Sequence, residues 1–139
     1  MDTIYTASAL STGDGRNGHV RTSDGTLDVD LAIPKEMGGV GGALNPEQLF
    51  AAGYAACFHS ALRGVARQAS VTLADDSVTA EVGLGRSGEG FGLSVVLRIE
   101  LPGLAADVAD ELVAKAHVMC PYSNATRGNI EVELDVTVG

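Results

Sequence analysis

The sequence predicts an α+β fold: an N-terminal antiparallel meander, a long buried central helix, a β-hairpin, a second helix and a C-terminal strand. Three observations carry that prediction. Leu27-Asp-Val-Asp-Leu-Ala-Ile33 and Ile130-Glu-Val-Glu-Leu-Asp-Val-Thr-Val138 alternate between apolar and polar residues, the period of a strand with one wet face. Asn45 to Gln68, NPEQLFAAGYAACFHSALRGVARQ, reads as one helix and is almost free of polar side chains from Leu49 to Phe58. Ala105 to Met119 is an amphipathic helix, with Val108, Leu112, Ala116 and Met119 at helical spacing and Asp107, Asp110, Glu111 and Lys115 outside.

Taken in order, Thr3 to Ala9 reads as the first strand, and Ser11-Thr-Gly-Asp-Gly15 is turn chemistry. Arg16 to Thr22 leads to Ser23-Asp-Gly25, a hairpin signal, and Leu27 to Ile33 closes the meander. Pro34 to Leu44 holds Gly38, Gly39, Gly41 and Gly42. No Gly-Lys-Ser/Thr follows and no strand leads in, so it is a mobile connection and candidate lid rather than a phosphate loop. In the central helix Asn45 is the N-cap, Pro46 takes the first helical position and Glu47 adds negative charge to the first turn. Ala51, Ala52, Gly53, Ala55 and Ala56 leave it apolar on every face, which predicts burial all round. Val78 to Leu84 and Leu93 to Ile99 are two strands, with Gly85 to Gly92 turning between them, and Pro102-Gly103 ends the second. Pro121 interrupts the second helix, and Tyr122 to Arg127 makes one more short turn before the last strand.

A chain of 139 residues is expected to form a single domain, 1–139, that buries about two-thirds of its unfolded surface. Hydrophobic residues make up 45%, which excludes a disordered chain. A net charge of −9 argues against nucleic acid or an anionic membrane face as partner. MDTIYTASALSTGDG has no basic segment followed by an apolar core, so no signal peptide is expected. The longest apolar run is about ten residues, where a membrane span needs about twenty. Two cysteines are too few for a secreted disulfide scaffold and point to the cytoplasm, where thiols stay reduced unless a disulfide is part of the protein's work.

Those cysteines, Cys57 and Cys120, meet only if the helices carrying them pack together. As core residues they would be unremarkable, since free cysteine is among the most buried residue types. Three features weigh against that reading. Cys120 stands before Pro121 at a helix junction, where backbone N–H groups stabilise a thiolate. Polar Asn124, Thr126 and Arg127 follow it closely. Arg16 and Arg21 lie in the glycine-rich opening, where a guanidinium has the reach to stabilise a thiolate. Cys120-Pro-Tyr-Ser123 is similar to a monothiol glutaredoxin motif, but that motif follows a first strand near the N-terminus, not an amphipathic helix near the C-terminus. His117 and Cys120 have the spacing of half a metal site, whereas Cys57 and His59 diverge on their helix, so no metal is expected. A Cys-His-Asn hydrolase built from Cys57, His117 and Asn124 would leave Cys120 unexplained.

Asn45-Pro-Glu-Gln-Leu-Phe-Ala-Ala-Gly-Tyr-Ala-Ala-Cys57-Phe and Cys120-Pro-Tyr-Ser-Asn-Ala-Thr-Arg-Gly-Asn129 resemble the two signature blocks of the organic hydroperoxide resistance (Ohr) proteins. These form the peroxidase branch of the family that also holds the osmotically induced OsmC proteins. Gly15-Arg-Asn-Gly18, Ser23-Asp-Gly25 and Pro34-Lys-Glu-Met-Gly-Gly39 resemble that branch too, and the likeness runs nearly end to end. It implies an OsmC/Ohr-like fold, an intertwined homodimer, and a thiol peroxidase acting on organic hydroperoxides, fatty-acid hydroperoxides included. By position, Cys57 would be the peroxidatic cysteine, Cys120 the resolving one, and Arg16 and Glu47 the charged partners of the reactive thiol. Local chemistry alone does not order the two cysteines. Phe50, Tyr54, Phe58, Met37 and Tyr122 would form the apolar wall for the alkyl tail, a role that core packing rivals. No bound cofactor is implied; dihydrolipoamide or a lipoylated protein would be the reductant.

Spacing adds one inference. Glu47 and Cys57 lie on one helix, about 15 Å apart along its axis at about 1.5 Å per residue. A carboxylate that far away does not readily orient an arginine touching the sulfur of its own chain. Antiparallel helices from two chains would resolve this, each site taking Cys57 and Cys120 from one subunit and Arg16 and Glu47 from the other. Two other functions stay open on the sequence. One is an OsmC-type relative with a different peroxide preference. The other is a redox-responsive protein whose apolar pocket binds a lipid-like ligand.

Overall fold

Turn chemistry builds the N-terminal sheet of the computed structural model, which describes Met1–Gly139. Strands β1 (Ala9–Thr12), β2 (His19–Thr22) and β3 (Asp28–Asp30) pair antiparallel in that order, as the meander predicts. At the β2–β3 corner the Asp24 carboxylate accepts from Thr22 Oγ1 and Thr26 N, and Gly25 takes a φ of 77°. The first strand begins later than Thr3: Met1–Ser8 is exposed and lies outside the ladder, which ends at Ala9↔Thr22 because β2 is four residues long, and Ser8 O accepts one further bond from Ser23 N at 3.0 Å. The third strand ends earlier than Ile33. After Asp30 the alternation breaks at buried Leu31 and Ala32, and Leu31 bridges to Leu44 instead. The glycine-rich connection contains a 3-10 turn, Lys35–Met37, closed by Gly38 at φ 88°.

Helix α1, Pro46–Gln68, starts at a capping box: Asn45 Oδ1 accepts from Gln48 N, and Gln48 Oε1 accepts from Asn45 N. It is not buried all round. Tyr54, Phe58, Leu62, Val65 and Ala66 face the core, whereas Ala52, Ala56 and Ser60 are exposed in the single chain. Small side chains make a helix apolar without obliging anything to cover it.

The chain divides into two units, Met1–Leu49 and Phe50–Gly139. In the second, β4 (Ser77–Ser87) and β5 (Gly90–Glu100) form an antiparallel hairpin. The strands extend past their predicted ends. Gly85 and Gly92 pair within the ladder, and Ser87↔Gly90 leaves only Gly88 and Glu89 to turn, with Gly88 at φ 58°. Helix α2 (Ala106–Met119) and helix α3 (Pro121–Thr126) then cross over to β6 (Val132–Thr137), which pairs parallel to β5. Val95, Leu97 and Ile99 of β5 pack with the inner faces of α1 and α2. Val108 is partly buried and Leu112 and Ala116 are buried, as the helical spacing predicts, but Met119 is exposed and Ala109 and Val113 complete the buried face. No helix is long and apolar enough to cross a membrane.

Candidate active site

Two thiols meet in the second unit. Cys57, half-buried in the middle of α1, lies with its Sγ 3.6 Å from that of fully buried Cys120, and both are free. Pro121 accounts for where Cys120 sits. A residue before proline avoids the helical region, so Cys120 takes φ −68° and ψ 122° and ends α2. Its own N–H still bonds Ala116 O at 2.8 Å, and its Sγ accepts the N–H of Ser123 at 3.5 Å, capping α3. The helix junction thus presents a backbone donor to the sulfur, as the motif suggests. For Cys57, burial pushes the thiol pKa up; the Tyr122 backbone N–H pulls it down, and nearby Cys120 raises it further.

Beside the thiols, Phe50, Tyr54 and Tyr122 form an aromatic trio with centroids 5.7 to 6.2 Å apart and tilted rings. Gly53 makes room for it: a Cβ there would lie 2.9 Å from Tyr122 Oη. Tyr122 is exposed, but Tyr54 and Phe58 are fully buried, so they stand in the core rather than on an open surface. An open groove of about 360 Å³ runs past Cys57, Ala61, Gly64, Met119 and Pro121.

The charged pair belongs to the first unit. Arg16 is held in a 3-10 turn, Gly15–Asn17, between β1 and β2. Gly18 closes the turn where any Cβ would meet Thr12 O at 2.1 Å. The guanidinium donates both terminal nitrogens to the Glu47 carboxylate, at 2.8 and 2.7 Å, a bidentate pair. That contact holds the Glu47 pKa below the usual carboxylate range, and Arg16 is raised correspondingly. Glu47 stands in the first turn of α1, where the helix dipole also favours its charge. Met37, in the same unit, is exposed at the end of its 3-10 turn. Arg21, also in this unit, pairs with Asp28 at 3.4 Å.

The predicted residues therefore form two constellations. Arg16 meets Glu47, and Cys57 meets Cys120, while Glu47 and Cys57 stand about 15 Å apart along the continuous helix α1. The hydrolase arrangement is not assembled: His117 Nδ1 is bonded to Ser123 Oγ, and Asn124 Oδ1 accepts from Arg127. Sequence reasoning missed two clusters. In one, His117, Ser123, Tyr54 and Thr126 are linked behind Cys120. The only signal was the polar company after Cys120. In the other, Asp76 receives both His59 and Arg63 from α1, and its carboxyl is held far below the ordinary range, by Arg63 foremost. Nothing in the sequence joins Asp76 to that helix face.

A model of the OsmC-like protein family matches residues 39–135. The organic hydroperoxide resistance protein of Xanthomonas axonopodis pv. citri is 53% identical over 133 residues, covering 94% of this chain and 93% of that one. The crystal structure of the organic hydroperoxide resistance protein OsmC from Legionella pneumophila has a TM-score of 0.94 at 56% identity, over 99% of this chain and 100% of that one. That of an organic hydroperoxide resistance protein from Elizabethkingia anophelis reaches 0.95 at 50% identity, over the whole of both chains. On this agreement along nearly its whole length, the chain belongs to the OsmC-like family and sits among its organic hydroperoxide resistance proteins.

Proposed function

We propose that this protein is a thiol peroxidase that reduces organic hydroperoxides, fatty-acid hydroperoxides among them, to alcohols. The observation that carries the reading is the approach of two free thiols to 3.6 Å at a helix junction, in a chain of this family. The Cys57 thiolate attacks the distal oxygen of ROOH. The O–O bond breaks, the alkoxide takes a proton and leaves as alcohol, and Cys57 becomes a sulfenic acid. Cys120 then attacks that sulfur. The S–S bond forms as the S–O bond breaks, and the hydroxyl departs with the Cys120 proton as water. A dithiol returns both sulfurs to thiols by giving two electrons and two protons; dihydrolipoamide or a lipoylated protein is the donor we propose. No resident cofactor or metal takes part.

Phe50 and Tyr122, backed by Tyr54 and Phe58, would prefer an alkyl tail to hydrogen peroxide, and Met37 would extend that wall. Arg16, oriented by Glu47, would supply the positive charge that the buried Cys57 thiol needs. The helical separation of Glu47 from Cys57 supports a homodimer with shared sites, in which that arginine comes from the partner chain. The 139 residues would then act as one functional domain in the reducing cytoplasm.

A steady-state assay with dihydrolipoamide tests the reading. Cys57→Ser is expected to abolish consumption of a bulky organic hydroperoxide. Cys120→Ser should keep the first oxidation but let Cys57 proceed to sulfinic acid. Full activity in Cys57→Ser would refute the assignment of the nucleophile, and equal rates with hydrogen peroxide would refute the organic preference.

A further inference from the structure

We propose that His117 is a positioning residue for disulfide formation, acting through a proton-ordered hydrogen-bond chain behind Cys120; this rests on the reading of Cys120 as the resolving thiol. Four contacts make the chain. His117 Nδ1 lies 2.8 Å from Ser123 Oγ, Ser123 Oγ lies 2.9 Å from Tyr54 Oη, and Tyr54 Oη lies 3.1 Å from Thr126 Oγ1. Thr126 Oγ1 in turn lies 3.1 Å from the Ser123 carbonyl oxygen.

Proton counting fixes the direction. Each hydroxyl owns one proton, and a carbonyl oxygen only accepts. Thr126 must therefore donate to Ser123 O, and so accepts from Tyr54. Tyr54, its proton spent, accepts from Ser123; Ser123, likewise, accepts from His117. This single order makes all four contacts hydrogen bonds, and it requires the imidazole to carry its proton on Nδ1. Burial and the nearby Arg127 hold the His117 pKa below its ordinary value, which favours the neutral ring with Nε2 unprotonated.

The chain ties three helices at the one point where Cys120 is hinged. Tyr54 comes from α1, His117 from the last turn of α2, and Ser123 and Thr126 from α3. Ser123 is fully buried, so water does not readily replace a missing donor. The backbone N–H of the same serine holds Cys120 Sγ at 3.5 Å. From the outside, Arg127 closes the arrangement by donating to the His117 carbonyl and to Asn124 Oδ1. The two sulfurs must close from 3.6 Å to about 2.05 Å, and a six-residue helix free to rock would spread Cys120 over unproductive positions.

Two variants and one spectrum test this. The side-chain amide nitrogen of Asn overlays Nδ1 of a histidine, whereas that of Gln reaches Nε2. After stoichiometric tert-butyl hydroperoxide, His117→Asn and His117→Gln are both expected to form the Cys57 sulfenic acid at the wild-type rate. The Asn variant should then close the disulfide nearly as fast as wild type, and the Gln variant about tenfold more slowly, the effect of losing one buried donor. With excess hydroperoxide the Gln variant should accumulate sulfinic acid at Cys57. In the reduced wild-type protein, nitrogen-15 NMR should find the neutral His117 proton on Nδ1, a readout independent of whether either variant folds. A proton on Nε2, or equal closure in the two variants, overturns the inference alone. Failure of the wild-type protein to form any Cys57–Cys120 disulfide overturns the underlying reading and takes the inference with it.

Discussion

A thiol surrounded by apolar neighbours is a poor nucleophile, and within one chain burial is the largest influence on Cys57, acting to raise its pKa. One backbone N–H, that of Tyr122, opposes it. On the proposed mechanism, a guanidinium brought to the sulfur would reverse the balance, and the Arg16–Glu47 pair is then expected to matter more for rate than for stability. Glu47→Gln keeps the shape of the carboxylate but removes its charge. Weakening a charge-assisted contact of this kind predicts a loss of about tenfold in the rate of first oxidation at neutral pH, read by stopped-flow with an organic hydroperoxide. The stability effect is smaller, because Arg16 is more than one-third exposed and solvent screens the pair. Its sign follows from the direction of the shift. The folded Glu47 pKa is depressed, so the pair stabilises above the unfolded carboxylate value of about 4.3 and is lost as pH falls through the folded one. Chemical unfolding of both proteins from pH 7 downwards should therefore show a gap that narrows below about pH 4. A gap that widened with acid would contradict the pairing. At this scale the sequence announced the candidates but not their environments. Cys57 and Cys120 stand out as the only cysteines, whereas the burial of Tyr54 and the tie from Asp76 to Arg63 depend on packing that no local pattern encodes.

Elements defined by their own residues were the most legible. Helix α1 starts where Asn45, Pro46 and Glu47 say it should, and Pro121 divides α2 from α3 as a missing N–H demands. Strand limits were less legible because pairing decides them. The strand expected from Thr3 enters the ladder only at Ala9, and the glycines near the β4–β5 corner continue the ladder because their partners do. The parallel pairing of β6 with β5 has no local signal at all. The same distinction yields a prediction for the α2–α3 junction. Pro121→Ala removes the steric bar that keeps Cys120 extended, and alanine favours a helix that runs on. We expect a modest loss of stability, about 0.4–1 kcal/mol from the freer unfolded chain. Disulfide closure should slow much more, because Cys120 turns away from Cys57. Quenched alkylation after one equivalent of hydroperoxide measures this, and closure at the wild-type rate would show that the proline does not set the sulfur's position.

At the scale of the whole molecule, the exposed stripe of Ala52, Ala56 and Ser60 and the position of Glu47 up the helix from Cys57 fit the same arrangement. In a two-fold dimer the contact is reciprocal, so one helix face meets its own copy and each subunit gives what it receives. If Cys57 and Cys120 of one subunit act with Arg16 and Glu47 of the other, two inactive proteins should repair each other. Cys57→Ser alone lacks the nucleophile at both sites, and Arg16→Ala alone lacks the guanidinium at both. In the mixed dimer, one site combines an intact Cys57 with an intact Arg16, and the other carries both defects. Unfolding the two variants together in equal amounts and refolding them gives random assortment, in which half the dimers are mixed and each mixed dimer has one good site. The expected activity is therefore about a quarter of that of the wild type at the same total concentration. If each chain instead builds its site alone, every subunit in the mixture carries a defect, and activity stays at the level of the separate variants. Mass spectrometry of the refolded mixture under native conditions counts the mixed dimers directly, so a missing quarter in their presence would reject shared sites, while a mixture of monomers would reject the dimer itself.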